Sequence, residues 1–573
     1  MARPLTHLRA RAALIGRALS GWRDGLAARR ACWGARATPL RACPEPFSPG
    51  DAVRAARRAA GDPALSGGGF ALDGLSPFAV RPPDESWLAA LHGFDWLDDA
   101  QAAGKADRAA LRAWAFDWLR RFGGGGGPGW RPDLAGRRLA RLVTAAPLLL
   151  AGADAADRRR LLRGIDAHRR FLGRFLQRRA PRDAGALLAA ATGLSLCGVA
   201  QQGGEAVARR AAARLGVAAA ALIDGDGCVA SRNPQALAEV FAALAWAAAE
   251  LREGGVAPDG RHLAALGRAG PCLRALRLGD GALARFHGGG AGAEGMLDEA
   301  FARAGAAARG RRAGGAMGYA RLAAGGTVAI LDGAPPPEGG AAGSSALALE
   351  VGVGRQRLFG GVGPGAGFGA EWAVAARATA AHSALEIGGA SAARLTPEGL
   401  AARVFGRGFA QGPSRVAVER LRDGEGDWLR AEHDGYADRF GLIVGRRLRL
   451  SADGRDLRGE ETLSAAPGGA APAAATPFCV RFHLAPGVAA AVAGAQASLT
   501  LPDGARWELR ASGGALSLAE SVSLDPGATA PRPARQLVIS GVAAGGYARV
   551  AWALTRQTPP AGPARIGRAR ETA

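Results

Sequence analysis

A change of hydrophobic period near residue 290 constrains this chain more than any other feature. Before it, apolar residues recur at helical spacing; after it, they alternate. In "ADRAALRAWAFDWLRRF", Leu111, Trp114, Trp118 and Leu119 fall at helical spacing. "GRRLARLVTAAPLLLAG", "ADRRRLLRGIDAHRRFLGRFLQRRA" and "NPQALAEVFAALAWAAAELREGG" repeat the pattern, separated by Gly, Pro or Asp. Helical hairpins with short connections are predicted, stacked as a solenoid or closed into a toroid. Past "ARFHGGGAGAEG", runs such as "GYARLAAGGTVAILDGA", "ALALEVGVGRQRLFGG", "GLIVGRRLRLSADG" and "FCVRFHLAPGVAAAVAG" are short, alternating and closed by turn residues. That texture predicts an antiparallel β sandwich.

The expected organisation is multi-domain α + β. A basic helical segment spans 1–60, a helical domain 61–295, a sandwich 296–555 and a disordered tail 556–573. "APGGAAPAAATP" reads as a flexible loop inside the sandwich. A length of 573 residues agrees with more than one domain.

The net charge of +23 comes almost wholly from arginine, Lys105 being the only lysine. The arginines are scattered, without an aromatic-interleaved stripe or a nucleic-acid module, so no nucleic-acid partner is expected. A positive surface attracts an anionic polysaccharide equally well. Six cysteines without a C-x-x-C pair give neither a zinc site nor a disulfide framework, and each reads as a small buried apolar residue. "RFGGGGGPGW" lacks the strand-to-helix context and the G-K-[ST] of a phosphate loop. No cofactor and no metal are expected.

At the N-terminus, arginine interrupts any secretory apolar run. Leu8, Ile15, Leu19 and Trp22 share a helical face, read as a surface helix packed on its own domain, with membrane-surface contact as the alternative. "AGALLAAATGLSLCGVA" is too short and too rich in Ala and Gly for a membrane span, and reads as a buried helix.

Ordered motifs add a resemblance. "LHGFDWLDD", "DGCVASRNP", "RLGDGALARFHGGG" and "GYARLAAGGTVAILDGAPPP" are followed by "RATAAHSALEIGG", "EHDGYADRFGLIVGRRLRLSADGRDLRGEE" and "FCVRFHLAPGV". In this order they resemble the heparinase II/III-like polysaccharide lyases. The resemblance implies an incomplete (α/α) toroid followed by a sandwich, and an anionic, uronic-acid-containing polysaccharide as substrate. It also implies work in the periplasm or cell envelope; this N-terminus shows no clear signal, and a cytoplasmic location is the alternative.

Lyases of this kind cleave by β-elimination. Donors must stabilise an enolate beside the uronate carboxylate, a base must take the C5 proton, and an acid must protonate the leaving oxygen. Tyrosine and histidine fill the last two roles, and the tyrosine needs its pKa lowered from about 10 by positive charge. Tyr436 and His433, in a stretch matching the family's H-D-G-Y, are the first candidates, with Arg430 and Arg439 as local charge. His382 follows Arg377 in the stretch matching R-x-T-x-A-H. His483 shares a strand face with Arg481 and reads as a core histidine or an anion contact. Asn233 and Arg232 would face the substrate carboxylate, although Asn233 before Pro234 is also a helix N-cap. His287 reads as a solvated hinge and Tyr319 as structural.

The sequence also departs from the family. Gly343, Ser344 and Ser345 stand where many relatives carry an H-A-D-like triplet, and Gly445 replaces a frequent histidine. A binding protein that keeps the fold and has lost cleavage is therefore the rival to a lyase.

Overall fold

The computed structural model describes residues 2–557 apart from 49, 63–64, 66–71, 73, 179–182, 311, 424–425, 468–474, 526–527 and 529. Most of the "APGGAAPAAATP" loop, and the tail from 558 onward, lie outside the described residues.

The first half is helical, and several of its helices start at side-chain caps. Asp154 accepts from Asp157 N at 2.7 Å, Asp183 from Ala186 N at 3.0 Å and Asp259 from Arg261 N at 2.9 Å. The helices Pro132–Thr144 and Ala184–Ala200 cross almost backbone to backbone. A methyl on Gly136 would lie 2.3 Å from Ala189 O, and one on Gly193 2.4 Å from Gly136 O. Ala184–Ala200 is thus apolar all round because it runs through the middle of the helical half. No helix among the described residues is long and apolar enough to cross a membrane.

The first helix, Ala2–Trp33, departs from expectation. Its buried face is made of small residues, Ala10, Ala28 and Ala31, and Arg17 donates to Val404 O at 2.7 Å. Leu8, Ile15, Leu19 and Trp22 point outward instead of into the domain, with Trp22 66% exposed. The cysteines also divide: Cys197, Cys228 and Cys272 are buried, whereas Cys43 is exposed.

The second half is a sandwich of two antiparallel sheets. Among the described residues, one sheet has nine strands, running from Gly315–Ala316 through Tyr319–Ala324, Thr327–Asp332, Leu349–Val353, Gln356–Gly360, Thr476–Leu484 and Arg532–Ala543 to Ala515–Ser523. Leu385–Ile387 pairs with a second segment of Thr476–Leu484. The other sheet has eight strands, ordered Ala489–Ala493, Gln496–Thr500, Arg506–Ser512, Ala548–Arg556, Asp456–Ala465, Leu442–Ser451, Gly426–Tyr436 and Val416–Asp423. Alternating leucines and aromatics fill the space between them, and Phe482 meets Trp552 edge-on at 5.0 Å.

One ion pair sits inside this apolar layer. Arg446 holds Glu461 at 2.8 Å with both side chains 1% exposed, and donates to Leu347 O at 2.6 Å and Ser383 O at 2.9 Å. The pair links the two sheets by hydrogen bonds that only this packing satisfies.

Arginines also staple the helical half to the sandwich. Arg321 donates to Ala275 O and Arg277 O at 3.0 and 2.8 Å, Arg357 to Leu283 O at 2.9 Å, and Arg285 to Gly361 O at 3.1 Å. One apolar cluster runs continuously across the junction, where Phe286 stacks on Tyr319 at 5.0 Å.

Candidate functional site

Asp332 is the point on which several candidate residues converge. It ends the fully buried strand Thr327–Asp332 and lies beside the junction. The Arg232 guanidinium pairs with its Oδ1, Ser345 Oγ donates to its Oδ2 at 2.7 Å, and His287 Nε2 lies 3.4 Å from the same oxygen. Burial alone would raise the pKa of this carboxyl; Arg232, His287 and Ser345 outweigh it and hold the group at about 2.

Arg232 is fully engaged by this arrangement. Besides Asp332 it donates to Met317 O at 3.0 Å, Gly318 O at 3.3 Å, Ala334 O at 3.1 Å and Pro335 O at 2.7 Å. Its guanidinium lies 4.9 Å from the centre of the Tyr319 ring, and the Tyr319 hydroxyl donates to Arg232 O. Arg232 and His287 both hold left-handed backbone with φ of 50°, a conformation costing non-glycine residues about 1–2 kcal/mol. Packing on both sides of the junction holds them there.

Asn233 serves as the cap of the helix Pro234–Glu253. Its Oδ1 accepts from Gln235 N at 2.9 Å and Ala236 N at 3.1 Å, and its Nδ2 donates to His287 O at 3.2 Å. His287 is buried and accepts from Gly343 N at 3.2 Å through Nδ1. The solvated hinge expected at this residue is not found, because the sandwich covers it.

His382 is buried against the same cluster, and neither ring nitrogen has a hydrogen-bond partner. A methyl on Gly343 would lie 2.9 Å from its Nε2, so the glycine leaves room for the imidazole. Burial, and then His287 and His483, push the His382 pKa down to about 3. Arg377 donates to Ala342 O at 2.6 Å and lies over the Phe409 ring at 5.0 Å. Burial, with Arg407 nearby, lowers its pKa to about 10.

His433 and Tyr436 lie at the end of the strand Gly426–Tyr436, their ring centres 5.8 Å apart. Both are buried. His433 Nδ1 accepts from Gly435 N at 3.1 Å, and burial pulls its pKa down to about 4. Asp332 is within electrostatic reach of this ring. Tyr436 is buried among the core residues of the sandwich. Its hydroxyl donates to Ala390 O at 2.9 Å, with Leu385 O at 3.5 Å, and burial pushes its pKa up. The expected cleft position of Tyr436 is thus corrected to a core position, because a β-bulge between His433 and Tyr436 turns the ring inward. A phenol with a raised pKa, bonded to carbonyls, is poorly placed to take a proton from a sugar.

His483 is also internal. Its Nδ1 meets Ser521 Oγ at 2.8 Å and its Nε2 meets Ala380 O at 2.9 Å, and burial lowers its pKa to about 4. A carbonyl only accepts, so Nε2 carries the proton and the neutral ring accepts from the serine. Arg481, on the same strand face, is paired with Glu386 at 2.8 Å.

Arg232, Asn233, His382 and His433 are therefore brought round Asp332, whereas Tyr436 and His483 are satisfied elsewhere. Sequence reasoning missed Asp332, Ser345 and the buried role of His287. The available signal was "VAILDG", an apolar run that ends on a carboxylate. Among the described residues, no three His, Cys, Asp or Glu side chains come together to hold a metal ion.

Residues 306–553 match the family described as Heparinase II/III-like, C-terminal. FtsZ-localized protein C of Caulobacter vibrioides is 32% identical over 533 residues, which cover 90% of each chain. The chain belongs to the heparinase II/III-like family. Among solved structures, Heparinase III aligns with a TM-score of 0.62 at 11% identity, over 83% of this chain and 78% of that one. A mutant of the heparan sulfate lyase HepC from Pedobacter heparinus aligns at 0.57 and 14% identity, over 89% and 83%. These likenesses show the fold, a helical toroid followed by an antiparallel sandwich. This heparinase-like chain thus shares family and fold with polysaccharide lyases, and Arg232 pairs with Asp332 across its junction.

Proposed function

We propose that this heparinase-like chain binds an anionic polysaccharide without cleaving it. One observation carries the reading: the groups that β-elimination would call on are engaged inside the protein. Tyr436 donates to backbone carbonyls, Asn233 caps a helix, and Arg232 is held by Asp332 and four carbonyls. The imidazoles of His382 and His433 are buried and neutral near pH 7. Gly343, Ser344, Ser345 and Gly445 stand where relatives carry further acid–base groups. The test is affinity electrophoresis through gels containing a uronate polymer, with the unsaturated uronyl product followed by ultraviolet absorbance. Retardation with no product supports binding alone; product formation sinks it.

A second reading follows from the FtsZ-localized relative, whose likeness runs the length of both chains. It is association with FtsZ. The outward Leu8, Ile15, Leu19 and Trp22, with Arg9, Arg11, Arg17 and Arg23 on the same helix, also suit an anionic membrane surface. Co-sedimentation with FtsZ filaments, and separately with vesicles containing anionic lipid, tests this reading. Recovery in the supernatant of both experiments counts against it.

A further inference from the structure

Two of the buried cysteines meet beneath an exposed loop of the helical half. The loop, residues 224–228, reads Asp-Gly-Asp-Gly-Cys and follows the helix Glu205–Leu222. Asp224 folds it: its Oδ1 accepts from Asp226 N at 3.0 Å and from Cys228 N at 2.8 Å. The turn lies against the helix Gly260–Ala275. Gly227 holds a φ of 78°, and a methyl there would sit 2.2 Å from Arg268 O, so only glycine lets the two backbones approach this closely. Arg268 fastens the contact by donating to Asp224 O at 2.9 Å. Cys272 stands one helical turn beyond Arg268 on the same face, which brings it beside Cys228.

The two thiols share an acceptor. Cys228 Sγ lies 3.6 Å and Cys272 Sγ 3.1 Å from Asp226 O, and the thiols are within hydrogen-bond reach of each other. Their surroundings make them unequal. The bond from Cys272, helped by Met317 N–H and the Arg312 charge, holds the Cys228 thiol below its ordinary value against burial and the Asp224 carboxylate. The same bond, and then burial, push the Cys272 thiol up. Burial also raises Cys32, Cys43 and Cys197. Cys228 keeps 8% exposure and Cys272 has none. The thiolate is the reactive form, so the thiol nearer solvent is also the one whose reactive form is stabilised.

We infer that Cys228 and Cys272 are a modification site, a dithiol that a hydroperoxide converts to a disulfide. The Cys228 thiolate attacks the hydroperoxide ROOH: an S–O bond forms, the O–O bond breaks, and the alkoxide leaves and takes up a proton as ROH. The sulfur is oxidised to a sulfenic acid as the peroxide is reduced. The Cys272 sulfur then attacks the Cys228 sulfur and expels its hydroxyl, which leaves as water with the Cys272 proton. Thiols already in contact need only side-chain rotation to reach bonding geometry. The site also adjoins the junction. Its loop runs on to Arg232 and Asn233, and Met317, whose N–H faces Cys228, accepts from Arg232 Nε at 3.0 Å through its carbonyl. The bridge therefore ties the helix Gly260–Ala275 to the segment that reaches Asp332. This assignment stands apart from the polysaccharide reading and does not depend on it.

The test is peptide mapping by mass spectrometry, without reduction, of the full chain after treatment with stoichiometric hydrogen peroxide. The protein is first reduced and desalted. The expected product is a linked pair of peptides carrying Cys228 and Cys272, lighter than their sum by two hydrogens and separated again by dithiothreitol. It should form before Cys43, the exposed thiol, is modified. Cys272→Ser should leave a sulfenic acid on Cys228 that dimedone traps, and Cys228→Ser should leave Cys272 unmodified. Thermal melting checks that both variants fold. Recovery of Cys228 and Cys272 as free thiols from the wild-type chain, with Cys43 oxidised, would overturn the inference whether or not the variants fold. Linkage of Cys228 to any other cysteine would overturn it as well.

Discussion

The Arg232 guanidinium, from the helical half, pairs with the Asp332 carboxylate of the sandwich, and Asp332 is only 1% exposed. Removing one partner of a buried pair leaves the other charge uncompensated, at about 3–5 kcal/mol. Asp332→Asn should therefore lower the unfolding midpoint markedly, while Arg430→Ala on the surface should not. The wild-type contribution also depends on pH. Asp332 is held at about 2, below its ordinary 3.8, so the stabilisation is present above about pH 4 and is lost as pH falls towards 2. Urea titrations of both proteins across this range check the prediction.

Buried neutral histidines add a second pH dependence of the same sign at higher pH. His433 titrates at about 4 and His382 at about 3, against 6.5 for an ordinary histidine. Below 6.5 the unfolded chain takes up protons that the folded chain refuses, so stability falls on acidification. Each histidine contributes about 1.4 kcal/mol per pH unit in that window. The urea midpoint should drop between pH 7 and 5, and His433→Gln should flatten the drop. An identical slope in the variant would mean that His433 is not buried and neutral.

Tyr436→Phe removes a donor from the carbonyls of Ala390 and Leu385 without opening a cavity. The expected loss is about 1–2 kcal/mol of stability, with oligogalacturonate affinity unchanged. Weakened affinity in a stably folded variant would return Tyr436 to the binding machinery.

Restoring an imidazole where the family often carries one should fail. At Gly343 even a methyl would sit 2.9 Å from His382 Nε2, inside a buried cluster. Gly343→His is expected to destabilise by about 1–3 kcal/mol or more through overpacking, and to yield no cleavage. Thermal melting together with the uronyl absorbance assay checks both parts.

The two-part architecture is legible in the sequence because each half repeats one period many times, and repetition averages out local exceptions. The buried ion pair leaves a trace as well. In "GLIVGRRLRLS" and "DLRGEETLSA", Arg446 and Glu461 occupy inward positions among apolar neighbours such as Val444, Leu448, Leu457 and Leu463. Only the register, which pairs Arg446 with Glu461, says that they meet. Tyr436 is misplaced by alternation for a parity reason. Strict alternation from His433 puts Gly435 inside and Tyr436 outside, and the bulge between His433 and Tyr436 reverses this. The Asp332 cluster is hidden differently. Its members lie on distant segments, Arg232 and Asp332 alone being 100 residues apart, and the Asp-Gly after a strand has the form of an ordinary turn. The first helix escapes the pattern because its packing uses alanines, while periodicity weights the large apolar residues that face outward.

The most direct measurement is ultraviolet absorbance of the unsaturated uronyl product while the full chain stands with polygalacturonate and, separately, heparan sulfate. Binding without cleavage predicts a flat trace under conditions where affinity electrophoresis shows the polymer bound. A rise in absorbance that Tyr436→Phe or His433→Gln abolishes would contradict it and restore the junction as an active site.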